Sequence, residues 1–163
     1  MDECMRMNSN NTEKYDSTKD TQDHIRNVEH FMKIVLFNLM DRMKMHDFSK
    51  LQEPEKSMYD EFTPKLRELT YGSDEYKQTL KDMGTALRHH YEVNKHHPEY
   101  YSNGIDGMSL LDLIEMFCDW CAATLRHKDG NINESIVINS QRFEITDQLA
   151  EIFKNTLDEI WSK

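Results

Sequence analysis

His and Asp side chains are concentrated in one part of this 163-residue sequence, and seven of its eight His fall between His24 and His97. His46-Asp47 stands where an apolar helical pattern ends, so a turn there would bring both side chains inward. Imidazole and carboxylate suit Mn, Fe, Co, Ni or Zn, and a carboxylate can bridge two ions. Taken alone, the dipeptide is more typical of a helix-terminal His beside a capping Asp.

Four further His favour the metal interpretation. His89-His90 lies near the end of a predicted helix, and His96-His97 lies on the loop that follows. His90 continues the apolar stripe of its helix, so we expect it to point inward, whereas His89 is about 100° away around the helix. A solvated surface could also hold such a cluster. An inward imidazole beside loop imidazoles is more typical of a ligand set.

Three carboxylates share one face of a later predicted helix, namely Asp112, Glu115 and Asp119. Like charges at these spacings repel unless a cation or solvent compensates them. A solvated acidic face is the ordinary explanation in a chain with net charge −10. Asp119, however, is flanked by small and apolar residues, so we predict it as a ligand. For Cys118-x-x-Cys121 we predict core packing, because no second Cys pair accompanies it.

The elements that must position these residues are helices. Only 5 Gly and 3 Pro interrupt the chain, and no segment shows sustained strand alternation. We predict a disordered leader over residues 1–20 and one all-α domain of about six to seven helices over 21–163. The expected helices are about 21–45, one from Pro54, one from Pro64 to about 71, 73–94, 110–127, 133–142 and one from Thr146.

Composition excludes several partners and compartments. A net charge of −10 argues against duplex nucleic acid and against an anionic membrane. No apolar run reaches the roughly 18 residues of a membrane span, and the polar N-terminus does not look like a signal peptide. Three Cys cannot all pair, which favours a reducing cytoplasm.

Short motifs resemble those of the HD-domain metal-dependent phosphohydrolase superfamily. The run 46–50, His-Asp-Phe-Ser-Lys, resembles its His-Asp-x-[Gly/Ser]-Lys motif. The run 96–99, His-His-Pro-Glu, with Gly104 resembles the paired-His loop of its two-metal branch. The run 118–122, Cys-Asp-Trp-Cys-Ala, resembles its closing helix. A longer pattern over about residues 20–157 is similar to an uncharacterised family of bacteriophage and bacterial genomes.

The resemblance implies an HD-like fold and hydrolysis of a small phosphorylated molecule, with a nucleotide expected. One or two divalent ions would activate water and stabilise charge on phosphoryl oxygens. Asp47 and Lys50 would be catalytic, and a phage-encoded copy would act in the host cytoplasm. The implied metal ligands are His46, Asp47, two or three of His89, His90, His96 and His97, and Asp119, with Glu115 as a further candidate.

His24 resembles the first His of the HD pattern, but its distance from His46 opposes that role. In one continuous helix, 22 residues separate the two His by about 33 Å. Either the helix breaks near residues 38–43, or the first ligand is absent or comes from a partner chain.

Substrate contacts are expected from polar side chains after the centre. Arg matches two phosphate oxygens with its forked guanidinium, and three residues of the helix at 133–142 share one face. Helix-packing contacts would explain these residues equally well. The candidates are Lys50, Arg126, Ser135, Asn139 and Arg142.

Two other functions stay open at this point. The same ligand types allow a di-iron oxygenase on the HD scaffold. The chain could also be a non-catalytic helical binding module, such as one that acts on a host protein after phage infection. A homodimer is compatible with each of these functions.

Overall fold

The computed structural model describes residues 15–70, 72–126 and 130–161, and within these ranges the protein contains seven α-helices and no strand. The all-α prediction is therefore confirmed. None of the described helices has both the length and the apolar character that crossing a bilayer requires. The helices are α1 (Thr18–Met45), α2 (Glu55–Arg67), α3 (Asp74–Asp82), α4 (Gly84–Val93), α5 (Leu110–Thr124), α6 (Ile132–Arg142) and α7 (Asp147–Trp161).

The chain divides into two compact units after Leu36. In the first unit, the described residues form the start of α1. The Asp16 side chain accepts a hydrogen bond from the backbone N–H of Thr18 (2.9 Å), which satisfies a free donor at the helix start. Helix therefore replaces the predicted leader from Thr18 onward, and residues 1–14 of that leader lie outside the described residues.

The second unit begins at Phe37 and has its apolar core between α5, α6 and α7. The rings of Phe117 and Phe153 stack with centroids 5.2 Å apart, and Trp120 meets Phe153 edge-on. Offset and edge-on ring contacts of this kind stabilise a core beyond the area they bury. The buried core residues are Met116, Phe117, Trp120, Cys121, Ile136, Ile145, Phe153 and Leu157.

Two predicted helix boundaries were wrong. We expected a new helix at Pro64, but α2 continues through it. The carbonyl that loses its partner there belongs to the exposed residue Asp60, so solvent can replace the missing bond. We also expected one helix over 73–94, but α3 ends at Asp82 and α4 begins at Gly84, which has a φ of +50°. A left-handed residue interrupts the helical hydrogen-bond ladder, and Gly adopts it without steric cost.

The α5 helix begins with a capping box. Ser109 Oγ accepts from the backbone N–H of Asp112 (3.2 Å), and Asp112 Oδ2 accepts from the backbone N–H of Ser109 (2.7 Å). Each side chain thus satisfies a donor that the helix start leaves free. The predicted start of this helix is confirmed, and it places the acidic face of α5 opposite the end of α1.

Candidate metal centre

The end of α1 turns two predicted ligands toward one point. Asp47 follows the helix in the left-handed conformation, with a φ of 56° and a ψ of 17°. Asp is among the few residue types that adopt this region readily. The turn brings His46 Nε2 to 3.5 Å from Asp47 Oδ2, with both side chains largely buried. The two side chains therefore share a direction, as we predicted from the dipeptide.

Two more imidazoles lie close to the other oxygen of Asp47, and a third lies beside them. His90 Nε2 and His96 Nε2 each lie 3.4 Å from Asp47 Oδ1, and His97 Nε2 lies 2.9 Å from His90 Nε2. Ligand atoms about 2.1 Å from a tetrahedral ion stand about 3.4 Å apart. The four side chains form one group whose ligand atoms lie within 4.8 Å of one another.

Two atoms of this group are buried and have no hydrogen-bond partner among the described residues. They are Asp47 Oδ1 and His96 Nε2. Buried polar atoms almost always have a partner, so each exception needs an explanation. A cation between these two atoms would satisfy both at once. The donor set of one carboxylate and three imidazoles fits a transition metal ion such as Zn, Fe or Mn.

A second ligand group shares Asp47 with the first. It consists of His46, Asp47 and Asp119, and His46 Nε2 lies 3.6 Å from Asp119 Oδ1. Asp47 thus turns Oδ1 toward the three imidazoles and Oδ2 toward His46. Each of these groups could hold a metal ion, and Asp47 belongs to both.

Two glutamates bind the imidazoles on the side of each ring that faces away from Asp47. Glu115 Oε1 lies 3.0 Å from His46 Nδ1 and 3.3 Å from His96 Nδ1, while Glu55 Oε2 lies 2.9 Å from His90 Nδ1. In each ring the opposite nitrogen, Nε2, faces Asp47. Carboxylates that bind the second nitrogen of a metal-ligating His fix its tautomer and its orientation. His46, His90 and His96 have this arrangement.

The two glutamates are themselves fixed by the fold. Glu55 is fully buried at the start of α2, and its carboxylate accepts from Ser49 Oγ at 3.0 Å. Glu115 on α5 accepts from Arg42 Nη1 at 2.9 Å, and the same nitrogen lies 2.7 Å from Asp112 Oδ1. Charge-assisted contacts of this kind are shorter and stronger than neutral ones. The orientation of the imidazoles is therefore set by contacts outside the cluster.

The surroundings of the four imidazoles lower the pKa of two of them and raise the pKa of the other two. Burial lowers the pKa of His90 to about 4, and burial together with the nearby His96 charge holds the pKa of His97 far below its usual range. Asp119 and Glu115 raise the pKa of His46 to about 10. The pKa of His96 is also raised, because attraction from Asp47 and Glu115 outweighs its burial. His90 and His97 are thus neutral at pH 7, while His46 must lose a proton to bind a metal.

The DUF5662 family matches residues 13–161, which includes every residue of the cluster. The chain belongs to the DUF5662 family. The function of this family is unknown, and the match contains no link to the HD-domain superfamily, so that resemblance stays a prediction. No curated protein and no solved structure shows significant similarity to the chain.

Two predicted ligands of this DUF5662 chain, His89 and His24, lie outside the ligand groups of the described residues. His89 Nδ1 lies 2.7 Å from Glu55 Oε1, and His89 belongs to none of the ligand clusters of the described residues. His24 also belongs to none of those clusters, and α1 runs unbroken from Thr18 to Met45. Glu115 forms a third possible ligand group with His46 and His96, whose Nδ1 atoms it approaches. It therefore contacts the rings on the side away from Asp47.

A cavity of about 180 Å³ adjoins the cluster, and most of the predicted substrate residues line it. Lys50 lines it, with Nζ 2.5 Å from Asp47 Oδ2, and Asp119 and His97 of the cluster also face it. Ser135 does not line this cavity. It is buried in α6, where its hydroxyl accepts from Asn139 Nδ2 at 3.2 Å. The predicted substrate residues on the cavity wall are Lys50, Arg126, Asn139 and Arg142.

Several site residues were missed in the sequence. Glu55 carries no local signal, because its partners His89 and His90 lie 34 and 35 residues away. Arg42 had a signal that we did not use, since it interrupts the apolar stripe between Leu39 and His46. Cys118 and Cys121 are free thiols outside the clusters of the described residues. Cys121 packs in the core as predicted, whereas Cys118 is exposed, so the prediction of core packing was wrong for Cys118.

Proposed function

We propose that this DUF5662 protein is a metal-dependent phosphohydrolase that acts on a small phosphorylated molecule, with a nucleotide as the expected class. The observation that carries the proposal is that Glu55 and Glu115 bind the Nδ1 atoms of three imidazoles, those of His46, His90 and His96. Their Nε2 atoms meet Asp47 at the edge of a cavity with cationic walls. A structural metal site would need no such cavity beside it.

The metal-binding residues would be His90, His96, His97 and Asp47 for one ion, with His46, Asp47 and Asp119 for a second. An ion bound there would lower the pKa of bound water and polarise a phosphoryl oxygen. Asp119 is partly exposed and faces the cavity, so its carboxylate can orient a water molecule toward the substrate.

The cavity offers separate contacts to the two parts of a nucleotide. Lys50, Arg126 and Arg142 place positive charge on its wall. Lys50 is paired with Asp47 and Arg142 with Glu99, so a phosphate bound there would compete with these carboxylates for both cations. Tyr59 and Trp120 line the same cavity and provide flat apolar surface for a base or another ring. The acidic net charge of the protein does not oppose such a ligand, because the local field is set by these cations and by a bound metal.

Elemental analysis of anaerobically purified protein tests the metal step. We expect one or two transition metal ions per chain, and a loss of most of that metal in the double variant His46→Ala, Asp47→Ala. His30→Ala with Asp41→Ala is the matched control, because both residues are exposed on α1 and belong to no cluster of the described residues. Full metal content in the first double variant would overturn the site.

Hydrolysis of a nucleotide panel and of p-nitrophenyl phosphate by the metal-loaded protein tests the reaction. We expect phosphate release that Asp119→Asn abolishes and that Glu151→Gln on α7 leaves intact. Turnover that requires both iron and O₂ would identify the di-iron oxygenase instead. A fully loaded protein that is inactive on phosphoesters would overturn the proposed reaction while leaving the metal site in place.

A further inference from the structure

The N-terminal part of α1 carries an apolar face that the described residues leave exposed. Its six apolar side chains occupy about 140° of the helix surface at 100° per residue. Each of them is between 44% and 67% exposed. They are Ile25, Val28, Phe31, Met32, Val35 and Leu36, and we call this set the α1 face.

The spacing of the α1 face matches a helix that pairs with another helix. Ile25, Val28, Met32 and Val35 alternate by three and four residues, which is the seam of a two-stranded coiled coil. A shallow groove runs along the same face between Ile25 and Leu36. In a knobs-into-holes pair, such a groove receives the side chains of the facing helix.

The area of the face is sufficient for a stable pair. A large side chain offers about 150–250 Å² when fully exposed. The exposed fractions then leave on the order of 600 Å² of apolar surface on each chain, or about 1,200 Å² in a symmetric pair, which is the size of a small but specific interface. An isolated helix with this much apolar surface gains little stability in water, since most helical stability comes from packing.

Charge on the remaining surface of the helix favours a protein partner over a lipid surface. Helices that lie on anionic membranes carry an excess of Lys and Arg on the polar face. Residues 18–36 contain equal numbers of basic and acidic side chains. They are Lys19, Arg26 and Lys33 against Asp20, Asp23 and Glu29.

We propose that the α1 face binds the same face of a second copy of this chain, so that the protein is a two-fold homodimer through α1. A symmetric contact needs one surface that is complementary to itself, and a regular apolar seam without net charge meets that condition. The proposal is independent of the proposed phosphohydrolase activity.

Sedimentation velocity of the full chain between about 1 and 100 μM tests the dimer. We expect the wild type at twice its 19.5 kDa mass and Met32→Lys as a monomer. The matched control is Ile152→Lys on α7, which is 51% exposed and should stay dimeric. Circular dichroism checks that both variants keep the wild-type helix content. A monomeric wild type, or a Met32→Lys protein that stays dimeric, would overturn the proposal.

Mixing Met32→Lys with Met32→Glu distinguishes lost contact from lost folding. Each variant alone should be monomeric, and the equimolar mixture should form a heterodimer, because in the parallel, in-register pairing of such a seam position 32 of one chain lies opposite position 32 of its partner. Absence of that heterodimer from two folded variants would overturn the direct contact. Binding of a monomeric wild type to phosphatidylcholine vesicles, or a dimer that forms only after deletion of residues 1–14, would assign the face to another occupant and overturn the proposal.

Discussion

Replacement of Glu55 by Gln tests the metal centre and leaves every predicted metal ligand in place. Glu55 contacts His90 through Nδ1, while His90 Nε2 faces Asp47. Gln keeps the shape and one acceptor oxygen but loses the negative charge that raises the basicity of the imidazole. Loss of such a partner typically weakens metal binding by about 10–100-fold. Because Gln can still accept from His90, we expect a value near tenfold for Gln and near a hundredfold for Ala.

The effect can be measured as a loss of metal-dependent stability. At a free metal concentration 100 times the wild-type Kd, binding stabilises the wild type by about 2.7 kcal/mol. A tenfold weaker Kd reduces that gain to about 1.4 kcal/mol at the same concentration, and a hundredfold weaker one to about 0.4 kcal/mol. Urea unfolding with metal and with chelator gives this difference directly. It also separates metal binding from any change in the stability of the metal-free fold.

The control for this experiment is Glu61→Gln, which makes the same substitution on the same helix at an exposed side chain paired with Lys65. It should keep the full 2.7 kcal/mol gain expected of the wild type. An unchanged gain in Glu55→Gln would refute the reasoning, since it would mean that His90 needs no carboxylate behind it to bind the ion.

Three further predictions concern His46, Arg142 and Ser109. In metal-free protein, the raised pKa of His46, about 10, gives stability that is complete below pH 6.5 and is lost as the pH rises toward 10. His46→Asn should therefore flatten the fall in unfolding free energy between pH 7 and 9, by up to about 1.4 kcal/mol per pH unit in urea titrations. Arg142→Gln should raise KM for a phosphorylated substrate by about tenfold, or about 1.4 kcal/mol, with a smaller change in kcat, whereas Arg88→Gln outside this cavity should not. Ser109→Ala should lower the unfolding free energy by about 1 kcal/mol through loss of the α5 cap, and Ser109→Gly should cost less in the same urea assay.

Sequence reasoning succeeded where the signal is local. The start of α5 followed from Ser109 as an N-cap residue, and the turn at His46-Asp47 followed from the end of an apolar pattern. It failed at Pro64 and Gly84, where two residues that often interrupt helices had opposite outcomes. At Pro64 the helix loses one hydrogen bond, and solvent can replace it at the exposed carbonyl of Asp60. At Gly84 the left-handed backbone cannot continue the helix.

The apolar stripe of α1 shows a second limit. Its period correctly predicted a helix and identified the face, but a period does not say what covers that face. Val28, Met32 and Val35 lie on this stripe, and in the structure all three are exposed. The same limit applies to Glu55, because only the packing of α2 against α4 brings its carboxylate to His90.

The charges of the centre connect its chemistry with folding. Asp47, Glu55, Glu115 and Asp119 surround four imidazoles, and the pKa values of Asp47 and Glu115 are held far below their usual range. Such carboxylates stay ionised, so in metal-free protein their charge is offset in part by the protonated His46. A divalent ion would replace that proton and neutralise more charge at the same place. Metal binding should therefore release protons at neutral pH, and the measured Kd should fall as the pH rises, because the ion and the proton compete for the same nitrogen.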